Sequence, residues 1–265
     1  MYALDVLNRW SMTMSAKLSP LAPLIMEFFG TYFLVTSVYF ANSYNGGGPL
    51  AVALMLVAMV FMGGHISGGF YNPAVTFAVF CSGRDRMKPQ TLVSYIAVQV
   101  GASLLASLVC WAVDDDVMVF SHVGVEGGPF YTPEIMPNGN AWQAFLCEFL
   151  ATFALSNVVL AVGTSKKIDG NSFYGLAIGF TVGAFAYAFG SISGGVFNPA
   201  VGTGPLVANA LEVGSWRQLQ WLWLYWVAPM FGGFVASITY RVTHFDSEYF
   251  NESPGDEQLR LASDF

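Results

Sequence analysis

"ISGGFYNPAV" occupies residues 66–75 and "ISGGVFNPAV" occupies residues 192–201. In each copy the Asn of Asn-Pro-Ala is a strong helix N-cap, and the Pro after it suits the first helical turn, where its missing N–H costs nothing. The apolar residues that follow continue a helix, so each decapeptide starts one. The Ser-Gly-Gly stretch ahead of it supplies flexible, extended backbone leading to that start. The echo is longer than the decapeptides: "EFFGTYFLVTSVYF" from Glu27 matches "EFLATFALSNVVLA" from Glu148, each a similar distance before its decapeptide. The chain is therefore two copies of one unit.

The surrounding composition says where that unit lives. Of 265 residues, 55% are hydrophobic and 10% charged, and the mean hydropathy is +0.54; a soluble domain carries about 25% charged residues. This is a membrane protein. Apolar spans fall at Leu21–Asn42, Pro49–Met62, Thr91–Val113, Ala141–Val162, Phe173–Phe189 and Leu219–Tyr240, near the roughly 20 residues that cross the hydrocarbon. Between them Pro73–Cys81 and Pro199–Ala210 are helix-like but about half that length. Each half has three full spans, an odd number, so the second copy enters from the opposite side and the repeat is inverted.

The expected fold is all-α: six transmembrane helices plus two half-helices that meet end to end at the midplane. Irregular backbone at that depth is tolerated only where it lines a water-filled cavity. Asn72, Pro73 and Ala74 with Asn198, Pro199 and Ala200 then form a pore waist. Two positive helix ends and two side-chain amides face the passing molecule there. The expected organisation is an N-terminal segment 1–20, a channel domain 21–240 with repeats over about 21–113 and 141–240, and an acidic tail 241–265.

Basic residues set the expected orientation. Arg9 and Lys17 precede the first span, Arg84, Arg86 and Lys88 follow the first half-helix, Lys166 and Lys167 separate the fourth and fifth spans, and Arg241 and Arg260 follow the sixth. By the positive-inside rule these segments, and both termini, are cytoplasmic. The other side receives Asp114–Asp116, the Gly/Pro-rich loop from Ser121 to Asn140 and one cation, Arg217. Asp5, Arg9 and Lys17 are scattered, without the compact pattern of a cleavable signal.

Other features fit solvated ends and packing better than chemistry. The net charge of −7 comes largely from the tail and Asp114–Asp116, which read as solvated ends, and nothing points to nucleic acid. Cys81, Cys110 and Cys147 lack metal-ligand spacing. Asn251-Glu-Ser matches a glycosylation sequon but falls on the cytoplasmic side. The Met and Phe residues of "ALMLVAMVFM" are lipid-facing or packing residues, and His122 and His244 carry no signal. No nucleophile with a base at motif spacing and no phosphate-binding loop occurs, so neither an enzyme nor a cofactor is expected.

Paired NPA motifs in inverted halves resemble the aquaporin, or major intrinsic protein, family. The resemblance covers roughly Leu21 to Tyr240 and includes Glu27 and Glu148, "GHISGGFYNPAVT" at Gly64–Thr76, "QVGA" at Gln99–Ala102 and "YWVAPMFGG" at Tyr225–Gly233. It implies passive conduction of water or small uncharged solutes in a lipid bilayer, of the plasma membrane or an intracellular compartment, by each protomer of a homotetramer. Glu27 and Glu148 admit two readings. They are proton-coupling carboxylates of a secondary transporter, or they accept hydrogen bonds from the re-entrant backbone, which the resemblance supports. His65, ahead of the first Gly-Gly pair, is a candidate pH-titrating gate.

One departure from the family pattern bears on substrate. Most relatives continue the second motif as NPAR, and that Arg forms the narrowest constriction with three partners. Here the chain reads "NPAVG". Carried over by offset, the selectivity filter becomes Val52, Ala186, Gly195 and Val201, all small or apolar. Tyr225-Trp226 resembles water-selective members, whereas Gly202 matches neither the water nor the glycerol pattern. Water with some small neutral solutes ranks first, a glycerol, urea or ammonia facilitator second, and a proton-coupled transporter third.

Overall fold

The computed structural model describes residues 19–43, 48–84, 87–113, 141–168 and 170–244. Residues 1–18 with Arg9 and Lys17, Arg86, the 114–140 loop with Asp114–Asp116 and His122, and the tail from 245 with Asn251 and Arg260 lie outside them. Among the described residues there are eight α-helices and no strands: α1 (Ala22–Ser43), α2 (Pro49–Ser67), α3 (Pro73–Ser82), α4 (Pro89–Val113), α5 (Ala141–Thr164), α6 (Tyr174–Ser193), α7 (Pro199–Val213) and α8 (Leu222–Thr243). All but α3 and α7 are long and apolar enough to cross a membrane. Those two have 10 and 15 residues, which is about 15 and 22 Å of helix. Proline opens α2, α3, α4 and α7, each at the position where its absent N–H has no partner to lose.

Two boundaries differ from the hydropathy reading. The second and fifth spans do not stop at Met62 and Phe189 but run on to Ser67 and Ser193, through Gly63-Gly64 and Gly190. These glycines stay helical because the loops fold back against them. A Cβ on Gly69 would lie 3.1 Å from the Cα of Gly64, and one on Gly195 3.2 Å from the Cα of Gly190. The helices end at Gly68 (φ 92°) and Gly194 (φ 88°), left-handed caps whose N–H groups bond the carbonyls of Gly64 and Gly190 at 3.0 Å. Only residues 68–72 and 194–198 are left to carry the chain inward. The half-helices also run slightly longer than expected, to Ser82 and Val213.

Helix pairing obeys a two-fold. α1 packs on α2 and α4 as α5 packs on α6 and α8, and each half-helix lies against the last span of the other half, α3 on α8 and α7 on α4. α2 and α6 meet across the axis. Lipid supplies no hydrophobic drive between helices, so close backbone approach must hold them. Accordingly a Cβ on Gly179 would lie 2.5 Å from the Ala53 carbonyl oxygen, and one on Gly183 2.7 Å from the Ala53 Cβ. At α3–α8, Gly233 leaves room for the Ala74 carbonyl. At the mirrored α4–α7 contact Ser103 donates its hydroxyl to the Ala200 carbonyl at 2.6 Å. Polarity is inside out: Phe29, Phe180, Phe231 and Ile238 are exposed, while Glu27, Asn72, Gln99, Glu148 and Asn198 are buried.

Arg84, Lys88, Lys166, Lys167 and Arg241 gather where α3, α5 and α8 end and α4 begins. There the Arg84 guanidinium donates to the Thr164 carbonyl that closes α5. Arg217 lies at the opposite end, in the 3₁₀ turn before α8.

Candidate functional site

Each re-entrant loop hangs from one buried carboxylate. Glu27 on α1 accepts the Ser67 hydroxyl at 2.7 Å and the Phe70 N–H at 3.0 Å through Oε1. Through Oε2 it accepts the Tyr71 N–H at 2.7 Å and the Gln99 amide at 2.8 Å. Glu148 on α5 repeats this with Ser193 (2.7 Å), Val196 (3.0 Å) and Phe197 (2.6 Å). The phenols of Tyr95 and Tyr225 close the far side, donating to the carbonyls of Ser67 and Ser193 at 3.1 and 2.7 Å. Of the two readings of these carboxylates, the geometry matches hydrogen-bond support of the loop.

The copies are not identical. Gln99 also donates to the Thr76 hydroxyl at 2.9 Å, but Pro229 and Gly202 stand at the matching places.

The clamp holds a strained residue in each loop. Tyr71 (φ 50°) and Phe197 (φ 52°) are the two non-glycine residues at positive φ among those described, a conformation bulky side chains rarely adopt. Fixing their N–H groups on the carboxylates turns their carbonyls toward the other half. There the Asn198 amide donates to the Tyr71 carbonyl and the Asn72 amide to the Phe197 carbonyl, both at 2.9 Å. Thr152 adds a longer bond to the Phe197 carbonyl, 3.3 Å. The Asn side-chain oxygens cap their own half-helices, Asn72 accepting from Ala74 (2.9 Å) and Asn198 from Ala200 (2.9 Å) and Val201 (3.4 Å). Each asparagine is thus cap and cross-tie at once. One N–H of each amide is committed to the opposite loop, a bond that the sequence alone did not suggest.

A cavity of about 290 Å³ runs past this waist. Both asparagines line it, and so do Val52, Ala186, Gly195 and Val201, the four positions carried over by offset. Gly195 has φ 65° and its Cβ position is crowded by α6, so the loop backbone itself forms that part of the wall. His65 is exposed in the last turn of α2 and is not among the lining residues.

Sequence reasoning missed much of the wall. Leu34 and Val38 of α1, with Leu155 and Val159 of α5, line the cavity at the same offset from one another as Glu27 from Glu148. Val52 and Leu56 are matched by Ile178 and Val182 at the offset of Asn72 from Asn198. Extending the repeat alignment about two and three helical turns beyond the glutamates, and back through α2 and α6 from the asparagines, would have found them. Tyr187 and Ser191, on the exposed rim of α6, have no partner in that pairing and left no signal.

An inverted pair of half-helices, joined tip to tip by their own caps and flanked by a continuous cavity, defines an integral membrane channel. The chain belongs to the major intrinsic protein family: that family's model matches residues 45–240. It is a channel for water and small solutes and not an enzyme. Its relatives include "Aquaporin NIP3-1" of Arabidopsis thaliana, 34% identical over 241 residues and covering 86% of this chain and 69% of the relative. "Nodulin-26" of Glycine max is 31% identical over 242 residues, covering 88% and 82%. Among solved structures, the aquaglyceroporin from Plasmodium falciparum superposes with a TM-score of 0.69 at 18% identity, covering 83% of this chain and 95% of that one. That likeness bears on the fold.

Proposed function

We propose that the protein conducts water together with small neutral solutes of the glycerol, urea or ammonia class. In this reading the pore has its waist at Asn72-Pro73-Ala74 and Asn198-Pro199-Ala200 and its selectivity ring at Val52, Ala186, Gly195 and Val201. The observation that carries the reading is that all four ring candidates line the same cavity as both asparagines, and none brings a charge. Without a guanidinium the opening is wider and lacks a fixed positive charge, leaving cation exclusion to the half-helix dipoles and the amides.

Val201→Arg tests it. In proteoliposomes, stopped-flow swelling should show solute flux suppressed more than water flux. Exclusion of every solute larger than water by the wild-type protein, or an unaltered Val201→Arg variant, would remove Val201 from the constriction. An uncoupler should leave flux unchanged.

The channel domain, residues 21–240, is flanked by segments 1–20 and 241–265 on the cytoplasmic side. The basic residues gathered at one end of the bundle support that orientation.

A further inference from the structure

Among the side chains lining the cavity, four are polar: Asn72 and Asn198 at the waist, and Tyr187 and Ser191 at the rim of α6. Tyr187 and Ser191 lie one helical turn apart, and both are exposed. Between these pairs stand Val52, Ala186 and Val201 with the Gly195 backbone, and the walls contributed by α1, α2 and α5 are Leu and Val with Pro49. Among the described residues, a solute moving from rim to waist therefore meets no side-chain donor or acceptor. It must leave water around any polar group it carries, and between rim and waist only the loop backbone at 194–197 is left to replace that hydration. A methyl group loses nothing there and gains dispersion contact with Val and Leu.

Resting on the channel reading above, we infer that this pore selects for small amphipathic solutes. Of two near-isosteric molecules, the one with a methyl group in place of an amino or hydroxymethyl group passes faster: acetamide over urea, and 1,2-propanediol over glycerol. Selection works by what the solute need not shed rather than by what the protein offers it.

The experiment is stopped-flow light scattering on proteoliposomes with each of the four solutes. Protein-free vesicles of the same lipid are subtracted, because the bilayer itself favours the less polar member. One missing hydrogen bond sets the scale, so the protein-mediated ratio should be roughly three- to tenfold for each pair. Val201→Thr and Val52→Thr each add a hydroxyl to the ring at nearly constant volume, and both should pull the ratios toward one. The second variant stands in should the first not assemble, as judged by its elution in detergent.

Wild-type ratios at or below one would overturn the inference while leaving the channel reading intact, provided glycerol or urea flux exceeds that of empty vesicles. High ratios that neither Thr variant lowers would overturn the assignment to the ring. If none of the four solutes moves above background, the inference and the solute part of the channel reading both fail.

Discussion

The two asparagines are chemically alike but unequally supported. The Phe197 carbonyl accepts from both Asn72 and Thr152, whereas the Tyr71 carbonyl accepts from Asn198. The Thr31 hydroxyl, which matches Thr152 in the other half, has no hydrogen-bond partner among the described residues. Asn198 also caps two N–H groups where Asn72 caps one. Asn198→Leu should therefore destabilise more than Asn72→Leu. Loss of the cap costs about 1 kcal/mol, and stranding a buried carbonyl adds about 1–3 kcal/mol. Thermal unfolding in detergent measures the order, and water flux should fall in both variants; equal stability of the two would show that the cross-tie to Tyr71 is not made.

Gly195 is constrained for a different reason. Its φ of 65° and the nearby Gly190 Cα make any side chain there strained. Gly195→Cys should lower stability by about 1 kcal/mol or more and reduce flux. The wild-type channel should resist mercurials at this position, since its thiols are at Cys81, Cys110 and Cys147. Inhibition abolished by replacing any one of them would place a thiol in the pore.

At the scale of elements, the pore depends on how closely α2 and α6 cross. Val52 and Leu56 face Ile178, Val182 and Ala186 around the cavity, and the separation of their helices is set by Gly179 and Gly183 against Ala53. Gly179→Leu drives a branched side chain into a backbone carbonyl, an overpacking that costs typically about 1–3 kcal/mol. It should spread the two helices and alter flux although the residue does not line the pore. Gly179→Ala should do the same to a smaller degree. Unchanged unfolding temperature and unchanged flux in Gly179→Leu would mean that this contact does not set the bore.

The half-helices were readable in outline because capping is local: Asn, Pro and the two residues beyond them specify a start whatever surrounds it. Their ends, and those of α2 and α6, were less readable. A drop in hydropathy at Gly-Gly looks like a terminus, but here glycine marks where a loop returns to touch the helix.

At the scale of the molecule, the exposed aromatic and aliphatic residues belong against lipid or other protomers. We expect a homotetramer, and small residues on the spans suit such packing; a detergent-corrected mass of one protomer as the sole species would refute it.

What the sequence by itself determined about this protein is its solvent, its six spans, the inversion of its halves and the two helix starts, because hydropathy, parity and N-capping act over one turn or one span. It also nominated four ring positions that line the cavity. Only the tertiary structure decided that the asparagine amides cross to the opposite loop, that Glu27 and Glu148 hold the strained residues beside them, and that α1 and α5 supply much of the wall. Those contacts join residues as far as 125 and 127 positions apart. Their geometry depends on how closely glycine-lined helices pack, and no local pattern encodes that distance.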